Sequence, residues 1–129
     1  MNGLLLDTHA LVWWLTDDES LSAAARQAMG DDTREVVVSA ASAWEIATKQ
    51  RLGKLDAVPP VAEWFGALSA ANGFRHLDVT YLHALRAGGY SSAHRDPFDR
   101  MLAAQAEMED LSLVTRDPAF ELFATSTVW

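Results

Sequence analysis

Five carboxylates in this 129-residue chain, Asp7, Glu45, Asp96, Asp99 and Asp117, fall where alternating strands and helices would bring acids together. Asp7 directly follows the apolar run Leu4-Leu-Leu6, and Glu45 lies in the first two turns of the helix expected after Val36-Val-Val38. Asp117 stands two residues beyond a later apolar run. Asp99 opens the helix leading into that run, with Asp96 one turn earlier on the same face. In an open α/β sheet, ligands bind beyond the carboxyl ends of the strands. Carboxylates gathered there repel one another unless a cation neutralises them, and such hard oxygen ligands select magnesium or manganese. The chain has no cysteine, which excludes disulfides, thiolate metal sites and a cysteine nucleophile. His9 and His94 adjoin acids, yet neither has a second histidine at metal-ligand spacing, and His9 reads as a polar residue at the mouth of the site.

Each acid also has a structural explanation. Asp96 and Asp117 both precede proline and fit helix N-caps, and Asp99 suits the helix dipole. Ser42-Ala-Trp-Glu45 fits a capping box in which Glu45 bonds back to the helix start. Asp7 resists such a reading, because a carboxylate ending an apolar strand needs partners, and Asn or Ser would serve structure alone. Among the cations, Lys49, Arg51 and Lys54 cluster at the end of the helix carrying Glu45, where they either complement its dipole or meet phosphate at a rim. Arg95, Arg100 and Arg116 flank the acids, either pairing with them or facing a polyanion.

The elements that must position these residues are legible as short apolar runs alternating with helical patterns, the signature of an α/β domain with a mostly parallel sheet. Strands are expected at 4–6, 35–39, 74–79 and 111–115, with an edge strand at 126–129. Helices are expected at 8–15, 21–29 with Ser22 as N-cap, 40–52 stopped by Gly53, 61–71 ended by Asn72-Gly73, 80–88 and 97–109, with a short final one after Asp117-Pro118. Residues 17–20 form a polar turn, Pro59-Pro60 breaks the chain, and Val61, Trp64, Phe65 and Leu68 share one helix face. Trp13, Trp14, Trp44 and Trp64 are all helix-borne and read as core, with base stacking the lesser reading for any exposed ring, and one ring of the Trp13-Trp14 pair must leave the buried face and is available to a dimer or partner interface. No repeat, linker or low-complexity segment divides the chain, so residues 1–129 read as a single domain. The longest stretch free of charged residues, 64–74, is shorter than the roughly 18 residues of a membrane span. No membrane association is expected; the N-terminus lacks a basic leader, and the cytoplasm is the expected location.

Four segments together resemble the PIN-domain family, specifically the VapC-like toxins of bacterial type II toxin–antitoxin systems. They are Leu4-Leu-Leu-Asp-Thr-His-Ala-Leu-Val-Trp-Trp-Leu15, Val38-Ser-Ala-Ala-Ser-Ala-Trp-Glu-Ile-Ala-Thr-Lys49, His94-Arg-Asp-Pro-Phe-Asp-Arg-Met-Leu-Ala-Ala-Gln-Ala106 and Leu113-Val-Thr-Arg-Asp-Pro-Ala-Phe120. The resemblance implies a three-layer α/β/α sandwich and a magnesium-dependent endoribonuclease, manganese serving in its place, that cleaves RNA with a metal-activated water. The family's metal-binding and catalytic acids fall on Asp7, Glu45, Asp99 and Asp117, with Asp96 and Thr115 as accessories. Lys49, Arg51, Arg95, Arg100 and Arg116 become candidate RNA contacts. A cognate antitoxin, a homodimer, and DNA binding only through the antitoxin complex are likewise implied. Where family members often have Leu-Pro and a second histidine before the third block, this chain has Gly89-Tyr-Ser-Ser-Ala-His94.

Other readings are a PIN-fold interaction module without activity, which a metal titration finding no site would favour, and a phosphoryl receiver. The receiver needs a lysine late in the chain, whereas the only lysines are Lys49 and Lys54. A haloacid-dehalogenase-like phosphatase would need Asp-x-Asp after the first strand, where Asp7-Thr8-His9 stands. Lys and Arg number 10 against 18 Asp and Glu, and the net charge of −8 argues by itself against a nucleic-acid partner. The four family acids account for half of that charge, so cation binding would relieve it.

Overall fold

The computed structural model describes residues 3–55 and 60–129, and of Val61 and Ala62 the backbone only. The chain runs β1 (Leu4–Leu6), α1 (Thr8–Leu15), α2 (Ala23–Met29), β2 (Val36–Ser39), α3 (Ala40–Arg51), α4 (Val61–Ala71), β3 (Arg75–Leu77), α5 (Tyr81–Gly89), α6 (Pro97–Met108), β4 (Ser112–Val114), a 3₁₀ turn (Pro118–Leu122) and β5 (Thr127–Val128). The break expected at Pro59 and the side chain of Val61 lie outside the described residues. Elsewhere the elements follow the sequence reading, with every bound outside β1, α1 and α4 within one or two residues of expectation and the short final helix a 3₁₀ turn.

The strands form one sheet in the order β3-β2-β1-β4-β5, and every described pairing is parallel. Successive strand residues point to opposite faces, and the core divides accordingly. Leu4, Leu6, Val36, Val38 and Val114 pack on one face with Leu11 of α1, Ala25 of α2, Ile46 of α3 and Trp64 and Phe65 of α4. Leu5, Val37 and Leu113 pack on the other with Leu102, Ala103 and Ala106 of α6, Phe120 and Phe123. A sheet apolar on both faces and covered by helices on both is the three-layer arrangement expected of parallel strands.

Helix ends follow local chemistry. Ser22, Ser39, Thr80, Asp96 and Asp117 each accept a backbone N–H at the start of a helix or turn. Gly53 and Gly73 stop α3 and α4 at φ of 73° and 71°, a left-handed conformation that carries no steric cost without a Cβ.

One helix departs from expectation. Trp44 was expected in the core with the other tryptophans, yet it is 62% exposed. The buried face of α3 is Ala41, Ser42, Glu45 and Ile46, and position 44 lies off it. Trp13 and Trp14 are both partly buried against the same core, Trp14 donating its indole N–H to Asn72 and Trp13 lining an open cavity beside Asp7 and Arg116.

Candidate active site

Strand order brings the acids together. Because β1 pairs in parallel with β4, Leu6 lies opposite Val114, and Asp7 leaves the sheet beside Thr115, its amide bonded to the Val114 carbonyl. Because β2 pairs with the other side of β1, α3 starts alongside α1 and carries Glu45 to the same edge. A cavity of about 130 Å³ is lined there by Asp7, Thr8, His9, Glu45, Lys49, Asp96, Asp99 and Asp117. All four acids singled out by sequence, and the accessory Asp96, border this one space.

Asp7 is buried at 5% exposure. Its carboxylate caps α1 by accepting the Ala10 N–H at 2.7 Å and is hydrogen-bonded to the Thr115 hydroxyl. Burial raises its pKa against the lowering effects of those two bonds and of His9, and nearby Glu45 raises it further. Among the described residues no lysine or arginine pairs with it.

Glu45, also buried, accepts from the Thr8 hydroxyl through Oε1 and from Lys49 Nζ through Oε2 at 2.6 Å. The helix begins at Ala40 and is capped by Ser39, so Glu45 sits beyond the reach of a capping box, and that explanation of it falls. Asp99 meets His94 Nε2 at 2.8 Å through Oδ2. Its pKa is pushed up to about 6, first by burial, opposed by the bond to His94, and then by Asp96 and Glu45. Asp96 and Asp117 do serve as caps: Asp96 accepts from the Phe98 and Asp99 amides, and Asp117 from Ala119. Thr115 Oγ1 accepts the Asp117 amide at 3.0 Å, tying the two strand-end acids through one hydroxyl.

These acids share a cavity without converging on one point: among the described residues no three His, Asp or Glu side chains are close enough to hold an ion as they stand. Each is drawn to a different partner, Glu45 to Lys49, Asp99 to His94, and Asp117 to the turn it caps. The donor set nevertheless fits a hard cation in kind, being carboxylate oxygen around a buried acid without a strong base beside it.

The candidate cations disperse. Lys49 lines the acid cavity, and exposed Arg116 lies at its border with its guanidinium 4.6 Å above the Trp13 ring. Arg51 is exposed at the end of α3, while Arg95 lines an apolar groove of about 510 Å³ with Trp44, Val79 and Phe98 rather than the acid cavity. Arg100 does not face a ligand. Its five N–H groups bond the carbonyls of Ala87, Gly88, Tyr90, Ser92 and His94, so it pins the end of α5 and the loop after it and has no donor left for phosphate. Sequence reasoning missed the His94–Asp99 pair, which depends on that pinned loop; the Glu45–Lys49 pair was foreshadowed by its i, i+4 spacing.

A parallel sheet with acids at its carboxyl edge defines a class, and the chain belongs to the PIN-domain family, whose model matches residues 4–125. Within that class it is similar to Ribonuclease VapC22 of Mycobacterium tuberculosis (strain ATCC 25618 / H37Rv), with 34% identity over 118 residues, covering 91% of this chain and 88% of the relative. Among solved structures it resembles VapBC2 from Rickettsia felis bound to a DNA fragment from its promoter, at TM-score 0.68 and 12% identity, covering 97% and 96% of the two chains. It also resembles a toxin–antitoxin complex from Klebsiella pneumoniae, at TM-score 0.57 and 18% identity, covering 88% and 86%. At these identities the two structures speak to the fold. The described helices include none long and apolar enough to cross a membrane.

Proposed function

We propose that the chain is a VapC-like endoribonuclease, the toxin of a type II toxin–antitoxin pair, hydrolysing RNA phosphodiester bonds with magnesium, or manganese in its place. The observation that carries this reading is the gathering of five carboxylates on one small cavity, two of them, Asp7 and Glu45, buried, and Asp7 without a lysine or arginine partner among the described residues. Asp7, Glu45, Asp99 and Asp117 would hold the cation. When bound, a divalent ion supplies Lewis acidity, lowering the pKa of water and offsetting charge on the phosphate.

The chain's own residues set the stage for that chemistry. The Ala10 amide and Thr115 hydroxyl fix the Asp7 carboxylate, Thr8 and Lys49 hold Glu45, and Asp96 starts α6 so that Asp99 meets the cavity. Lys49 and Arg116 border the acids with positive charge and would meet the RNA backbone, with Arg51 further out along the rim. Identity to a relative named as a ribonuclease supports the activity, and the crystallised complexes of structural neighbours support a protein antitoxin as partner. Its blocking segment would be basic, since it must sit against acids. Homodimerisation, DNA binding only through the antitoxin complex and a cytoplasmic location complete the proposal.

Asp7→Asn preserves the cap on α1, because an amide oxygen accepts the same N–H, but removes the charge. Cleavage of total RNA by purified protein is expected to fall at least about a hundredfold in this variant and to be lost in chelator, with circular dichroism unchanged. A folded Asp7→Asn protein with full activity would overturn the assignment.

A further inference from the structure

Beside the acid cavity lies a second one, of about 350 Å³, lined by Asp7, His9, Trp13, Arg116, Asp117 and Pro118. The two share Asp7, His9 and Asp117, so they are neighbouring compartments of one cleft. The second is walled by flat π groups. The His9 imidazole stacks on the Trp13 indole, one helical turn on, with centroids 5.3 Å apart and planes 24° from parallel. The Arg116 guanidinium lies 4.6 Å from the Trp13 centroid, and Trp129 braces the indole at 5.8 Å with its plane tilted by 60°. His9 and Arg116 are exposed, whereas Trp13 is anchored against the core. The stack is therefore rigid at its base and open to solvent at its planar flanks.

Three features set this wall apart from ordinary surface packing. Its members come from the two segments that end in the acids, the first turns of α1 after Asp7 and the link between β4 and the 3₁₀ turn before Asp117. Arg116, next in sequence to Asp117, lies over an indole. The compartment also stands at the lower end of the size range of small-ligand pockets, room for one planar ring system rather than a folded partner. Unpaired bases bind such surfaces by stacking on aromatic, imidazole or guanidinium planes, with cationic groups adding attraction.

We propose that this compartment is a base subsite: it takes one unpaired nucleobase adjoining the phosphate held at the acid cavity, stacked on the His9, Trp13 and Arg116 wall. This rests on the reading of the protein as a ribonuclease and adds to it which residues seat the base beside the cleaved bond. Trp13 is then a positioning residue for the substrate, and Arg116 serves both stack and backbone.

The test uses the full chain, a single-stranded oligoribonucleotide carrying a mapped cleavage site, and two versions lacking the base on either side of it. Wild-type protein with magnesium is expected to cleave the intact oligonucleotide about tenfold faster than one of the abasic versions. Trp13→Leu, which keeps apolar bulk against Trp129, is expected to cleave intact and abasic versions alike at the slower rate, and Trp13→Phe to restore most of the difference. Should Trp13→Leu fail to fold, the surface variants His9→Ala and Arg116→Gln carry the same comparison with a smaller loss. Discrimination that persists in the folded variants would overturn the proposal. If wild type cleaves no RNA, the ribonuclease reading falls by itself. The subsite is then judged in chelator by fluorescence anisotropy of the labelled oligonucleotide: weaker binding by Trp13→Leu supports it, and equal binding or none by wild type overturns it.

Discussion

Two polar clusters are built on the same pair of helices, α3 and α6, and they differ in what they leave unsatisfied. In the first, Ser39 caps α3 and donates its hydroxyl to Gln105 of α6, whose amide N–H₂ faces the Asp78 carbonyl and His83 Nδ1. That ring nitrogen also accepts the Thr80 amide, so the His83 proton sits on Nε2 and is donated to Glu109. Ser39, His83 and Gln105 are at most 1% exposed, and the donors and acceptors described are matched one to another. In the second cluster, Glu45 of α3 and Asp99 of α6 face a cavity shared with three further acids, and burial raises the pKa of both Asp7 and Asp99. Hydrogen bonding can close a neutral network, but it leaves excess negative charge in place. The matched cluster is what a fold needs to register two helices. The mismatched one keeps negative charge that Lys49 and His94 answer only at single acids and that an external cation would offset.

Divalent cations should therefore separate the clusters most sharply. Magnesium at about 100 times its dissociation constant is expected to stabilise wild type by about 2.7 kcal/mol in chemical denaturation. Gln105→Met should retain this gain and Asp7→Asn should lose it. Equal gains in all three proteins would mean that the cation acts elsewhere than at the acid cavity. A somewhat smaller effect runs the other way: Gln105→Met leaves the Ser39 hydroxyl and the Asp78 carbonyl without their partner, which is expected to destabilise the protein by about 2 kcal/mol. RNA cleavage per folded molecule should stay near wild type, and a large loss of activity at full folding would join the two clusters into one functional unit.

The contrast was only half visible in the sequence. Placement of the acids at one sheet edge followed from apolar runs read as parallel strands, although the pairing of β1 with β4 came only from the structure, and Asp96-Pro97 and Asp117-Pro118 announced caps that the structure contains. Burial of Ser39, His83 and Gln105 was hidden, because a polar side chain within Ala103-Ala104-Gln105-Ala106 carries no sign that its partners lie 66 and 22 residues away. The exposure of Trp44 was hidden for a related reason. The buried face of α3 mixes Ala41 and Ile46 with Ser42 and Glu45, so apolar character alone does not mark the buried side of that helix. Arg100 read as facing RNA or pairing with the acids beside it, whereas five backbone carbonyls, two at the end of α5 and three in the loop that follows, claim it. Local rules locate elements and caps; long-range polar pairing depends on how those elements pack.

The smallest effect is also the most specific to the acid cavity, since it reads the charge itself. With its carboxyl pKa pushed up to about 6, Asp99 binds a proton in the folded chain at pH values where the unfolded chain has released it. Folding stability contributed by this group therefore falls as pH rises from about 4 to about 6 and stays low above that range. Asp99→Asn removes the titration while keeping the shape. The variant should match wild type in stability near pH 4 and exceed it by about 1 kcal/mol above pH 6.5, a part of the shift remaining after loss of the His94 bond. Urea denaturation of both proteins across that range in chelator measures the gap. A variant less stable than wild type at pH 7 would show that the His94–Asp99 pair outweighs the burial of charge, and that this edge of the cavity is built for stability.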